Sequence, residues 1–220
     1  MPRNPFIPDF ADLPTELPIF PLAGAVVMPG VQLPLNIFEP RYLNMVEDAL
    51  ASDRLIGMIQ PRPDTGDQDS PELHRVGCAG RITSYSETND GRIILVLTGV
   101  CRFLVDRELE PRRDYRRVRP DWGPFAIDYR EPETGWSDQD GFLASLRAYC
   151  DLRRVEIPWD DVKRMPAQDL VNLLCAHLPL EPEDKQALIE TLDLKDRARL
   201  MRGLMDMAAA SSMEAGEHRH

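Results

Sequence analysis

The hydrophobic pattern along the chain changes its period near residue 137. Before that point, short apolar runs alternate with glycine, proline and polar turn residues, which is typical of β-strands. After it, apolar residues recur at helical spacing, as in Phe142, Leu146 and Tyr149. The pattern therefore predicts an α+β protein in which a set of strands is followed by a set of helices.

The stretch from residue 19 to residue 42 is the unit around which the chain is organised. Its apolar runs predict three short strands, at residues 19–22, 25–28 and 31–38. Pro34 lies inside the third run and removes one backbone donor, which indicates an edge strand or a bulge. Pro40 suits the first position of a helix, so we expect a helix at residues 40–51.

Further strand signals follow this unit. The sequence Asn89-Asp90-Gly91 is typical of a hairpin turn. Gly99 is expected to bend the chain, so that beyond it Phe103 faces one way and Arg102 the other. The predicted strands lie at residues 55–59, 76–85, 92–98, 101–108 and 115–122, with a mobile acidic loop at residues 61–72. Such short strands favour a small antiparallel barrel or sandwich.

The domain organisation follows from these changes of pattern. We expect an extended N-terminal arm, a β subdomain, a linker rich in proline and acidic residues, a helical bundle and a disordered tail. Their predicted ranges are residues 1–16, 17–122, 123–136, 137–210 and 211–220, in that order.

Composition narrows the functional classes. The net charge is −11, which is not the positive balance expected of a nucleic-acid-binding protein. No apolar run reaches the length of a membrane span, and the N-terminus lacks the apolar core of a signal peptide, so we expect a cytoplasmic protein with no membrane contact. The four cysteines are widely scattered, which favours buried thiols over disulfides.

Three blocks of sequence carry a resemblance to a known family. They read LPIFPLAGAVVMPGVQLPLNIFEPRY at residues 17–42, VGCAGRI with DGRIILVLTGVCRF at residues 76–82 and 90–103, and AHLPLEPEDKQALIETLDLKDR at residues 176–197. In this order the chain resembles the N-terminal substrate-binding domain of the Lon protease family, from about Leu17 to Arg202. The resemblance implies a stand-alone domain with a PUA-like barrel, related to the pseudouridine-synthase-associated RNA-binding fold, followed by a helical bundle. It also implies a role in binding unfolded polypeptide or a partner protein.

No specific sequence motif identifies a polypeptide-binding site. The Pro34-containing strand and the groove between barrel and helices are the places where we expect it, because a sheet edge or an apolar patch can hold an extended chain. Phe38 and Tyr42 also fit a role in the core, and Glu39 and Arg41 could simply fix the start of the helix. The candidate contacts are Leu33, Leu35, Phe38, Glu39, Arg41 and Tyr42.

Catalytic and metal-binding motifs are missing from the sequence. The 220 residues hold no GxxxxGK[ST] phosphate loop, and none of the three lysines stands in the context of a Ser–Lys protease dyad. No CxxC occurs, and the short spacings of His74 with Cys78 and of Cys175 with His177 do not make the four ligands of a closed zinc site. We therefore expect a non-catalytic protein without cofactor or metal.

One basic cluster leaves an alternative open. Five arginines lie within eight residues: Arg112, Arg113, Arg116, Arg117 and Arg119. They could contact RNA phosphates, as a PUA-like module would. The competing interpretation is a solvated strand face whose arginines pair with the acidic helical half.

Overall fold

The structure is a computed structural model that describes residues 7–67, 70–130 and 138–217. The start of the predicted arm (1–6), most of the second half of the predicted linker (131–136) and the end of the predicted tail (218–220) lie outside the described residues.

In the part of the chain that the structure describes, six strands form one sheet whose pairings close into a cycle. The strands are β1 Leu17–Pro21, β2 Gln32–Ile37, β3 Leu55–Asp67, β4 Ser70–Glu87, β5 Ile93–Arg112 and β6 Tyr115–Asp121. They are ordered β2-β5-β4-β3-β1-β6, and β6 also pairs with β5. The cycle of β1, β3, β4, β5 and β6 is therefore closed, with β2 attached outside it. The predicted α+β class is confirmed, but the sheet is not wholly antiparallel, because β1 and β3 run parallel.

Strand β5 is the longest element of the sheet, and Gly99 is where it changes partners. Its first part pairs with β2 and its last part with β6, while β4 lies along its other side. A Cβ at Gly99 would lie 2.0 Å from the Met28 carbonyl oxygen, so no other residue fits. The predicted bend is present as a register shift opposite Ala79 and Gly80.

Two predicted segments differ from the structure. Residues 25–28 form no strand, although Val26, Val27 and Met28 are buried in the core. Residues 61–67 and 70–72 are not a loop but continue β3 and β4, which pair through Pro61 and Leu73 and out to Asp67 and Ser70. The prolines are tolerated there because register shifts interrupt the ladder on both sides of Pro61.

The helices follow in chain order. Helix α1, Pro40–Leu50, begins at Pro40 as predicted and buries Tyr42, Met45, Val46 and Ala49. After the sheet come α2 Gln139–Arg153, α3 Trp159–Arg164, α4 Ala167–His177, α5 Pro182–Glu190 and α6 Leu194–Glu217. Helix α6 thus extends beyond residue 210, the predicted end of the bundle, into the predicted tail.

Among the described residues, two short 3-10 segments flank the β subdomain, one before β1 and one after β6. Gly123–Tyr129 lies against β5 and buries Phe125, so the first half of the predicted linker is packed. The other segment, Phe10–Asp12, belongs to the arm. The arm lies against the same region, where Trp122 Nε1 donates to the Pro14 carbonyl at 2.9 Å and Tyr129 donates to the Pro8 carbonyl at 3.0 Å.

Candidate functional site

Strand β2 is the free edge of the sheet. Within the described residues it pairs only with β5, in a regular register from Gln32 opposite Thr98 to Ile37 opposite Ile93. Alternate residues of an antiparallel strand direct their backbone groups to the partner or away from it. Because Pro34 has no N–H to give to β5, the regular register places it among the positions directed to the free edge. Gln32 and Asn36 share that direction, so they offer the outward N–H groups.

Exposed apolar side chains continue this edge onto the sheet face. Phe38, directly after β2, is 61% exposed, and Ile94 on β5 is 50% exposed. Ile94 lies opposite Asn36, and the guanidinium of Arg92 sits over the Phe38 ring, 5.8 Å from its centre. We call the free edge of β2 together with Phe38 and Ile94 the β2 surface. It combines unpaired backbone groups with apolar area, which are the two requirements for holding an extended chain.

The six residues predicted to contact polypeptide fall into four environments. Leu33 and Leu35 are half-buried and pack against the core from the inner side of β2. Tyr42 is buried, 4.3 Å from the Phe20 ring, and this burial raises its pKa. Glu39 and Arg41 form an ion pair of 2.9 Å at the start of α1. Phe38 is the candidate with the largest exposed apolar area, and the assignment of the six to a binding site stays a prediction.

Ile94 was missed by the sequence reasoning. The run RIILVLT at residues 92–98 is apolar at nearly every position, which predicts a strand buried on both faces. Only Ile93, Leu95 and Leu97 face the core, and Ile94 lies on the uncovered face. The period-2 alternation cannot separate these two cases when both faces carry apolar residues. Tyr85 lies on β4, opposite Leu95 of β5, and is also exposed.

The five clustered arginines are all paired with carboxylates. Their partners lie on α1, on β5 and just before β1, not on the acidic helical half, so that part of the interpretation is wrong. The pairs are Arg112–Asp48 at 3.2 Å, Arg113–Glu47 at 2.9 Å, Arg116–Glu108 at 2.5 Å, Arg117–Glu16 at 2.8 Å and Arg119–Asp106 at 3.9 Å. A guanidinium group that is already paired with a carboxylate attracts a phosphate less strongly, because the carboxylate neutralises its charge.

Asp48 is the hub of this cluster. It accepts hydrogen bonds from Tyr115 at 2.8 Å and from Arg113 at 3.0 Å, with Arg112 alongside. Burial raises the pKa of Asp48, but these donors outweigh it and leave the pKa below its ordinary value. Burial and the same hydrogen bond raise the pKa of Tyr115 to about 12.

A second site rich in polar groups lies between the sheet and the helices. Arg102, on β5, is 1% exposed and forms an ion pair of 2.8 Å with Asp128. Its Nη atoms also donate to the carbonyls of Ile189, Thr191 and Leu192, at the C-terminal end of α5. A cation at that end satisfies free carbonyls and the helix dipole. Arg102 therefore joins the sheet to the bundle.

Arg197 reinforces the same junction from α6. It is 4% exposed and donates to the carbonyls of Leu188, Thr191 and Leu192 and to the Asn172 side chain. Burial, together with the nearby Arg102 charge, lowers the pKa of Arg197 to about 10. We call Arg102, Asp128 and Arg197 the arginine junction. Lys185 makes a similar link, because its Nζ donates to the carbonyls of Gly24 and Ala176.

The cysteine thiols are shielded from solvent. All four cysteines are buried as free thiols, and burial raises the pKa of Cys175 to about 12 and the pKa of Cys78 well above its ordinary value. Such thiols are weak nucleophiles. Among the residues that the structure describes, no three His, Cys, Asp or Glu side chains come together to hold a metal ion.

A known protein family accounts for most of this chain. The family model of the ATP-dependent protease La (LON) substrate-binding domain matches residues 16–207. This match covers most of the chain, so the protein belongs to that family.

Relatives and solved structures agree with this assignment. The chain is 31% identical over 208 residues to Lon protease 2 of Sorangium cellulosum and 28% identical over 205 residues to Lon protease 2 of Myxococcus xanthus. These matches cover 90% and 89% of the chain but 25% and 24% of the relatives, so the chain spans about a quarter of their length.

Two solved structures share the fold. The Lon N-terminal domain protein from Xanthomonas campestris superposes with a TM-score of 0.60 at 24% identity, over 85% of this chain and 96% of the other. The N-terminal domain of the Mycobacterium avium complex Lon protease gives a TM-score of 0.63 at 16% identity, over 87% and 98%.

A search of the described helices for membrane spans finds none with both the length and the apolar character to cross a bilayer.

Proposed function

We propose that this protein is a non-catalytic recognition module that binds unfolded polypeptide through the β2 surface. The observation that carries the proposal is the coincidence of a free strand edge with two exposed apolar side chains, Phe38 and Ile94. The family's description as a substrate-binding domain supports the same function. A partner protein presenting an extended segment would satisfy the same surface, and we place the interaction in the cytoplasm.

The proposed binding mode is the addition of a strand to β2. Backbone groups of an extended segment would pair with those of Gln32 and Asn36, while its apolar side chains cover Phe38. This mode takes affinity from the main chain and selectivity from alternate side chains, so it tolerates many sequences. The gap at Pro34 limits the number of backbone bonds and favours weak, reversible binding.

The experiment is a fluorescence titration of a labelled, permanently unfolded polypeptide with the full chain. Replacing both Phe38 and Ile94 by alanine removes most of the exposed apolar area and should weaken binding by on the order of tenfold or more, as for central interface residues. Leu152→Ala, an exposed leucine on α2, is the matched control and should leave affinity unchanged. Equal weakening in both variants would contradict the proposal.

The RNA alternative is tested in the same assay. A labelled structured RNA replaces the polypeptide, and the titration is run at low and high salt. Because Arg116 and Arg117 are paired with Glu108 and Glu16, we expect no tight RNA binding. Tight binding that falls steeply with salt and is lost in Arg116→Gln/Arg117→Gln would replace the polypeptide proposal.

A further inference from the structure

A cavity of about 100 Å³ opens beside the arginine junction, where the Gly123–Tyr129 segment meets α4 and the start of α6. It is separate from the β2 surface. Three guanidinium groups and two carboxylates line it: Arg102, Arg130, Arg197, Asp128 and Asp193. The lining therefore carries a net positive charge in a chain whose total charge is −11.

Both carboxylates already have partners. Asp128 is held by Arg102 through its backbone N–H and its guanidinium. Asp193 accepts hydrogen bonds from the backbone N–H groups of Lys195 and Asp196, as the cap of α6. Neither of them pairs with Arg197, whose partners among the described residues are all neutral oxygens.

Three side chains at this cavity retain hydrogen-bond donors. Arg130 is exposed at its mouth, and none of the ion pairs formed by the described residues includes it. Gln168, on α4, lines the same space and has no hydrogen bond from its side-chain amide to the described residues. Arg197 Nη1 bonds one acceptor, Asn172 Oδ1, and so retains one hydrogen.

We propose that this cavity binds a small oxyanion, a carboxylate or a phosphate group, between Arg130, Gln168 and Arg197. A cavity of about 100 Å³ has room for an oxyanion of four or five heavy atoms. Planar guanidinium groups match such oxygens in geometry as well as in charge. The bound anion would neutralise the excess charge of the arginine junction and tighten the link between sheet and helices.

The test is calorimetric titration of the full chain with sodium phosphate and, separately, with sodium acetate, at constant ionic strength set by chloride. We expect saturable binding of at least one of them, and the two titrations distinguish a phosphate site from a carboxylate site. Thermal unfolding in the same solutions should show a higher Tm with the bound anion. The absence of saturable binding by both anions would overturn the proposal.

Variants at the rim separate this site from general anion effects. Arg130→Gln should weaken binding by on the order of tenfold, and Asp193→Asn, which keeps a good capping residue, should strengthen it several-fold. Arg107→Gln, an exposed arginine on β5, is the matched control and should change nothing. Loss of binding in Arg107→Gln equal to that in Arg130→Gln would also overturn the proposal.

Discussion

The arginine cluster at residues 112–119 and the arginine junction use the same side chain in opposite ways. The cluster is conspicuous in the sequence, yet its arginines are 18–61% exposed and each pairs with a nearby carboxylate. Arg102 and Arg197 are isolated in the sequence, yet they are almost fully buried, and both bond the carbonyls at the end of α5. Exposed ion pairs contribute little to stability, whereas breaking a buried one is costly. The comparison shows that burial, not local density of charge, decides what an arginine does.

The largest effect is expected at the buried site. Arg102→Met leaves Asp128 buried without a partner and the α5 carbonyls without a donor, so the free energy of unfolding should fall by about 3–5 kcal/mol. Chemical denaturation measures it. The double change Arg102→Met/Asp128→Leu should recover part of the loss, because it also removes the unpaired carboxylate. A loss in Arg102→Met below about 1 kcal/mol would show that the junction is no stronger than a surface pair.

An intermediate effect is expected at the hub of the exposed cluster. Asp48→Asn weakens the hydrogen bond from Tyr115 and should cost about 1 kcal/mol of unfolding free energy at neutral pH. The folded pKa of Asp48 lies below its ordinary value, so its carboxylate stabilises the fold above that ordinary value and ceases to do so as the pH falls through the folded pKa. The difference between wild type and variant, measured by denaturation at several pH values, should therefore shrink below about pH 4. A difference that grows in acid would contradict this assignment.

The smallest effect is expected for the two paired arginines on β6, Arg116 and Arg117. Arg116→Gln/Arg117→Gln removes two ion pairs in which the arginine is half-buried and the carboxylate is exposed, and it should change the free energy of unfolding by less than about 1 kcal/mol. At high salt, the free energy of unfolding of the double variant should match that of the wild type still more closely, because salt screens such pairs. A loss as large as that of Arg102→Met would erase the distinction between the two groups of arginines.

Local signals in the sequence were sufficient for several elements. Pro40 predicted the start of α1, Gly99 the change of direction in β5, and Pro34 an edge strand. Each of these rests on the backbone limits of one residue, which do not depend on the rest of the fold. The three sequence blocks further identified the family, which the family model confirms.

Contacts between distant segments could not be predicted in the same way. Arg102 was placed on the face opposite Phe103, which is correct for a strand, but nothing local shows that α5 and Asp128 cover that face. The parallel pairing of β1 with β3 also joins strands far apart in the chain. For the candidate site, the edge and Phe38 followed from the sequence, whereas Ile94 depended on knowing which face of β5 stays uncovered.

Pro34 has a consequence beyond marking the edge of the sheet. A long, fully hydrogen-bonding edge beside apolar side chains would recruit copies of itself and seed fibrils. Pro34 interrupts the row of backbone donors near the centre of β2. A short extended segment can still pair with the remaining groups, but the continuous ladder that stacking of strands requires cannot form. Pro34 therefore limits edge-to-edge association between copies of the protein while leaving the β2 surface open to the strand addition that we propose.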